Sequence, residues 1–265
     1  YKYIPARILL IISNSGFKTP LFKKKLENLE LGNSSFYENT KLPNKMTFNF
    51  LNDQKVLKYP IDWNSNEHNQ LWRFNLHYFD WAREWLEIKI RNGEWPKESK
   101  YLKFYINDWV LNNRIGVGDG WHSYTISIRV RNWILLFRAC PDLLNERNLK
   151  SLWQQICWLN FNKEDYLGGN HWLENLITLI IGSLQFEGKR SNDLFKKSIR
   201  KLEDELKKQI LSDGGHEERS ATYHLLILDR LVELGLILEN IKGERPKWLT
   251  DSVFKMTKWA KSIRL

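Results

Sequence analysis

Gly168-Gly169-Asn170-His171-Trp172-Leu173-Glu174-Asn175-Leu176-Ile177-Thr178-Leu179-Ile180-Ile181 is the stretch whose reading decides the fold. A polar, Gly-containing loop leads into an apolar run that continues to Phe186 and stops at Gly188. That pattern predicts a helix from His171 to Phe186, opened by a loop rich in hydrogen-bonding side chains. Two other segments repeat it. Gly118-Asp119-Gly120-Trp121-His122 precedes a predicted helix over Ser123–Arg138, and Asp213-Gly214-Gly215-His216-Glu217-Glu218-Arg219 precedes one over Ser220–Leu238.

Further helices are predicted over Gln70–Ile90, Tyr101–Leu111, Asn148–Phe161, Asn192–Leu211 and Pro246–Ile263. Asn92-Gly93 and Pro96 end the first of these. Tyr124 to Val130 alternates apolar and polar residues as a strand would, but is read as helix. Met46 to Leu51 reads as a short extended segment. Residues 1–45 have mixed character, with turns at Gly32–Ser35 and Pro43-Asn44. Helices of about 12 to 20 residues joined by short turns pack as antiparallel neighbours. Repeated pairs build a solenoid or an (α/α) toroid, and no fixed sequence period favours a regular solenoid. The expected fold is therefore all-α, with antiparallel helix pairs from residue 46 onward.

The chain has 265 residues, 42% hydrophobic and 27% charged, which is ordinary for a packed globular protein. The 13 Trp, 13 Phe and 10 Tyr suit both helical cores and sugar-binding clefts. Core packing is the simpler reading for Trp72, Trp81, Trp85 and Trp95. A net charge of +10 favours an anionic partner such as nucleic acid, an acidic membrane surface or an acidic glycan. No zinc-finger or RNA-recognition spacing is present, which ranks nucleic acid low. Cys140 and Cys157 lack metal-ligand spacing and make no disulfide framework. No metal or other cofactor is expected. The first apolar run, Ile8 to Ile12, is too short to span a bilayer. The chain starts at Tyr1, and its ends read as fragment boundaries.

The three loops gather His, Asn, Tyr and Arg at helix starts. In an antiparallel toroid, loops of like polarity share one face. Such a set suits β-elimination from a uronic acid. An amide or imidazole neutralises the carboxylate, which stabilises the charge that develops as the C5 proton leaves. A Tyr or His then serves as base and as acid toward the glycosidic oxygen. Arg binds a carboxylate or sulfate through paired hydrogen bonds.

Four ordered motifs resemble the heparinase II/III family of polysaccharide lyases. They are Leu71-Trp72-Arg73-Phe74-Asn75-Leu76-His77-Tyr78-Phe79-Asp80; Gly118 to Tyr124 with Ser127-Ile128-Arg129; Gly169 to Asn175; and Asp213 to His224. The resemblance implies an incomplete (α/α) toroid over residues 46–265, truncated before a β-sandwich domain that packs on it. It also implies cleavage of an acidic polysaccharide by β-elimination, and a periplasmic or secreted location. Carried over, Asn170 neutralises the carboxylate, Tyr223 is the acid and a candidate base, and His171 is a base or second neutralising group. Arg129 and Glu174 match polar cleft positions. His122, Trp121, Tyr124, His77, Glu218 and His224 complete the candidate substrate-binding set. Glu217 departs from the aromatic residue of the family's His-Phe-Glu-Arg-Ser pattern.

Plainer roles stand beside these. Asn170 suits a helix N-cap, His77 suits the core, and His216, Glu218 and Arg219 suit a network that holds their loop. Two further functions remain open. An inverting glycoside hydrolase could use two of Asp119, Glu174 and Glu218. A non-enzymatic domain could bind glycan in the handling of a surface polysaccharide.

Overall fold

A computed structural model describes residues 46–92 and 100–263. The expectations for residues 1–45, and for Gly93, Trp95 and Pro96, lie outside them. The chain divides into two compact units, and the described residues of the first end at Asn162.

The first unit opens with a hairpin, β1 (Thr47–Phe50) paired antiparallel to β2 (Asp53–Val56) in the register Thr47↔Val56. The extended segment was expected, but its partner strand was not. The turn residues Leu51 and Asn52 both have positive φ, 57° and 59°. This is the backbone a tight hairpin needs, and it usually signals itself through Gly or Asn-Gly. Here a leucine fills the first position, so the signal is absent. Phe48 anchors the hairpin edge-on to Trp81 and Tyr105, with ring centroids at 5.2 and 5.5 Å.

The helix expected over Gln70–Ile90 is two helices, α1 (Gln70–Tyr78) and α2 (Asp80–Arg91). They part at Phe79, whose φ is 61°. A left-handed non-glycine residue costs about 1–2 kcal/mol, and buried contacts offset it. Phe79 is fully buried and stacks on Trp63 at 5.7 Å. Asn132 Nδ2 donates to Tyr78 O (2.9 Å), at the end of α1, and to the Asp80 carboxylate (2.8 Å).

Next come α3 (Lys100–Asn112), a single 3-10 turn (Asp119–Trp121), α4 (Ser123–Ala139) and α5 (Glu146–Phe161). The strand-like alternation at Tyr124–Val130 is helical. Helix α4 packs on α1, α2 and α5 and is buried on almost every side, so its polar positions are internal rather than a wet face. Trp63, Trp72, Trp109, Trp133 and Trp153 are fully buried, which answers much of the tryptophan density with core packing.

The second unit holds α6 (Gly169–Leu184), α7 (Lys189–Gln209), α8 (Ala221–Lys242) and α9 (Lys247–Ser262). Helix α6 is buried from Trp172 to Leu184 and packs on α7 and α8, while α8 packs on α9. Helix α7 is amphipathic. Its wet face carries the pairs Lys207–Glu203 and Lys208–Glu205, each at 2.8 Å. Nine α-helices and one two-stranded hairpin account for the regular elements among the described residues, aside from two short 3-10 turns, as the all-α expectation requires. Cys140 and Cys157 are not joined in a disulfide.

Candidate active site

In the second unit, the N-termini of α6 and α8 and the loops before them line one open cleft of about 550 Å³. Asn170, His171 and Tyr223, the three expected catalytic residues, all line it, together with Glu217 and Glu218. Sequence reasoning placed them at helix starts because glycine-rich loops precede them. The structure shows what those glycines do.

The loop before α8 is a tight, pinned turn. Ile210 and His216 form an isolated antiparallel bridge, and Gly214 has φ +92°. A side chain on Gly214 would collide with the backbone of Lys255. Glu217 N donates to Gln209 O (2.8 Å), and Gly215 N donates to the Asp213 carboxylate (2.8 Å). Buried His216 lies with Nε2 3.2 Å from Gln209 Oε1, while its Nδ1 accepts from Glu218 N (3.4 Å). Burial pushes the His216 pKa down, which favours the neutral ring that can accept this bond.

The turn delivers Glu218 to the start of α6. Asn170 N donates to Glu218 Oε1 (2.5 Å), and Asn170 Nδ2 donates to Glu218 Oε2 (3.1 Å). A carboxylate at a helix N-terminus satisfies an orphan donor and complements the helix dipole. Glu218 thus holds Asn170 rather than presenting a spare carboxylate. Gly169, at φ +53°, makes room for it, since a Cβ there would strike the Glu218 carboxylate. Gly169→Ala should therefore displace Glu218 and leave Asn170 unheld. We expect turnover on a cleaved substrate to fall by at least about tenfold, with a stability loss of only about 1–2 kcal/mol. Unchanged turnover would show that the Glu218–Asn170 contact is dispensable.

His171 is half-buried in the cleft. Its Nδ1 lies 3.1 Å from Glu164 Oε1. That hydrogen bond raises its pKa, burial works against the rise, and the charges of Glu164, Glu218 and Glu174 add to it. The imidazolium therefore persists to higher pH than in a free histidine. Glu164 is 2% exposed and was not anticipated from sequence. It sits in a polar turn and belongs to no motif.

Glu174 and His224 lie in the interior of the second unit. Glu174 is fully buried and lies 3.6 Å from Arg230 on α8. His224 is fully buried, with Nε2 2.9 Å from Met256 O and its ring centroid 4.3 Å from that of Trp259, so it ties α8 to α9. Neither lines the cleft. Among the described residues, the cleft lining includes no lysine or arginine.

In the first unit, Arg129 is fully buried. It donates to Gln155 Oε1 (2.8 Å), His77 O (3.3 Å) and Gly120 O (2.6 Å), and its guanidinium lies 4.0 Å from the Trp109 ring centroid. Its geometry is that of a buttress for the Asp119–Trp121 turn. His77 is also fully buried, and Nδ1 accepts from Trp109 Nε1 (3.0 Å). Burial first, then the Arg129 charge, pushes its pKa well down. Asp119 pairs with Arg73 at 2.6 Å, and Trp121 is buried between Trp109 and Trp158. His122 and Tyr124 are half-buried and join a row of half-buried rings. His122 meets Phe74 (5.3 Å), Phe74 meets Tyr78 (6.4 Å), and Tyr78 meets Tyr124 (6.2 Å).

Among the described residues, no cluster of three or more His, Cys, Asp or Glu could hold a metal ion, and no helix is long and apolar enough to cross a membrane.

Residues 25–264 match the family described as Heparinase II/III N-terminus. A solved heparinase III is similar in fold, with TM-score 0.60 and 20% identity, over 75% of this chain and 32% of that one. The heparan sulfate lyase HepC of Pedobacter heparinus is similar at TM-score 0.61 and 20% identity, over 83% of this chain and 37% of its own. The chain thus spans about a third of the length of these structures. No curated protein sequence matches it. The helical fold agrees with the (α/α)-toroid expectation, and on the family match the chain belongs to the heparinase II/III N-terminal family.

Proposed function

We propose that the second-unit cleft serves β-elimination on a uronic-acid-containing polysaccharide. The observation that carries this reading is the convergence of an amide, an imidazole and a phenol, from Asn170, His171 and Tyr223, on one cleft. Asn170 and His171 engage the uronate carboxylate and oppose the charge that develops as the C5 proton leaves. The Tyr223 oxygen, entering the step as phenolate, takes the C5 proton and passes it to the glycosidic oxygen as the C4–O bond breaks, so the side chain ends as it began.

A hydrolase would need two free carboxyl groups across the scissile bond. Glu218 is committed to Asn170 by two hydrogen bonds, which favours elimination.

The test is to incubate the protein with unsulfated and sulfated polyuronates. Elimination creates a C4–C5 double bond that absorbs ultraviolet light. Absorbance should grow with each polymer that the protein cuts, and comparing the two sets reads its preference for sulfate. New reducing ends without absorbance would contradict the reading.

A further inference from the structure

Glu164 and Asn175 form a closed clamp. Glu164 N donates to Asn175 Oδ1 (2.8 Å), and Asn175 Nδ2 donates back to Glu164 Oε2 (3.0 Å). The other carboxylate oxygen, Oε1, meets His171 Nδ1 at 3.1 Å. Asn175 is fully buried one turn beyond His171, so both project from the same face of α6. Three polar groups are thereby fixed relative to one another by one short loop and one helical turn.

The clamp is asymmetric in its exposure. The Glu164 side chain is 3% exposed and the His171 side chain 39%. A pair serving packing alone would gain nothing from leaving its histidine open to a cleft. A buried carboxylate is also costly unless paired, and a neutral glutamine would fix the loop at lower cost. The Glu164 charge is used by the imidazole beside it, which it contacts through Oε1.

We propose that Glu164, locked by Asn175, is a positioning residue that holds His171 with Nδ1–H donated inward and the Nε2 edge toward the cleft, as a cationic neutraliser of a substrate carboxylate rather than as the base. This rests on the elimination reading above and assigns His171 its part in it. The same arrangement of a carboxylate orienting an imidazole recurs wherever a histidine must keep one tautomer. The acidic groups whose charges act on His171 are Glu164 from the preceding loop, Glu218 from the loop before α8 and Glu174 from its own helix. Glu217 and Tyr223 share the cleft.

The test reads the ring nitrogens of His171 by NMR across pH. In the unaltered protein, Nδ1 stays protonated throughout and Nε2 is the nitrogen that titrates. Titration at Nδ1 overturns the proposal, and this needs no variant to fold. In Glu164→Gln the His171 pKa falls. The alkaline limb of the kcat/KM profile moves to lower pH with it, and kcat drops by about tenfold or more while KM changes less. An unshifted His171 titration in a folded Glu164→Gln protein overturns it as well. In a His171→Gln background, adding Glu164→Gln costs no further turnover, because Glu164 acts through the ring; an additive loss counts against the proposal. Predicted titrations without double-bond formation would defeat the elimination reading and leave the clamp standing. Double-bond formation with unshifted titrations would do the reverse.

Discussion

Tyr223→Phe should lower turnover by about a hundredfold to ten-thousandfold, the usual worth of a positioned proton-transfer group. The ring is kept, so stacking and shape are kept. Only the hydroxyl is lost, and with it the atom that accepts the C5 proton and protonates the leaving oxygen. Tyr223 is 44% exposed at the start of α8. Its backbone N–H is capped by Ser220 Oγ at 3.4 Å, and the substitution leaves that cap intact. Stability should therefore change by less than about 0.5 kcal/mol. The expected signature is a fall in kcat with little change in KM, since the lost interaction belongs to the transition state. Steady-state kinetics on a cleaved polymer, with a melting curve as control, checks it. Full turnover in the variant would remove Tyr223 from the chemistry.

Arg129→Ala should destabilise the first unit by about 3–5 kcal/mol. Three acceptors lose their donor at once: Gln155 Oε1, His77 O and Gly120 O. Each buried, unsatisfied acceptor costs about 1–3 kcal/mol. The cavity against Trp109 adds to this, and release of a desolvated cation offsets part of it. Arg129→Lys should recover little, because a point ammonium cannot replace a planar fork bonded in three directions. Denaturant midpoints measure the effect. A loss below about 1 kcal/mol together with a raised KM would return Arg129 to the substrate-binding role suggested by its motif.

That contrast marks the boundary of what the sequence made legible. A motif names residues that occur together and does not say which of them face solvent. Asn170, His171 and Tyr223 follow glycine-containing turns, and such turns put side chains at open helix ends. Arg129 and Glu174 lie further along their helices, where the chain has entered the core. Helix α6 was plain because an apolar run bounded by polar glycine turns has few other solutions. The break at Phe79 was not, since its support comes from Trp63 and Asn132, distant in sequence. The β1–β2 turn was hidden because Leu51 stands where glycine or asparagine would announce it. Glu164 was hidden for a third reason. Its partners lie 7 and 11 residues away on a helix, a relation fixed only once the preceding loop folds back.

The central claim, that this cleft eliminates rather than hydrolyses, is tested most directly by running the reaction in water enriched in heavy oxygen. Hydrolysis places a solvent oxygen in the products, whereas elimination makes its new double bond without one. Mass spectrometry of the freshly cut ends should show unsaturated products at natural isotopic mass. Saturated ends carrying the solvent label would contradict the account.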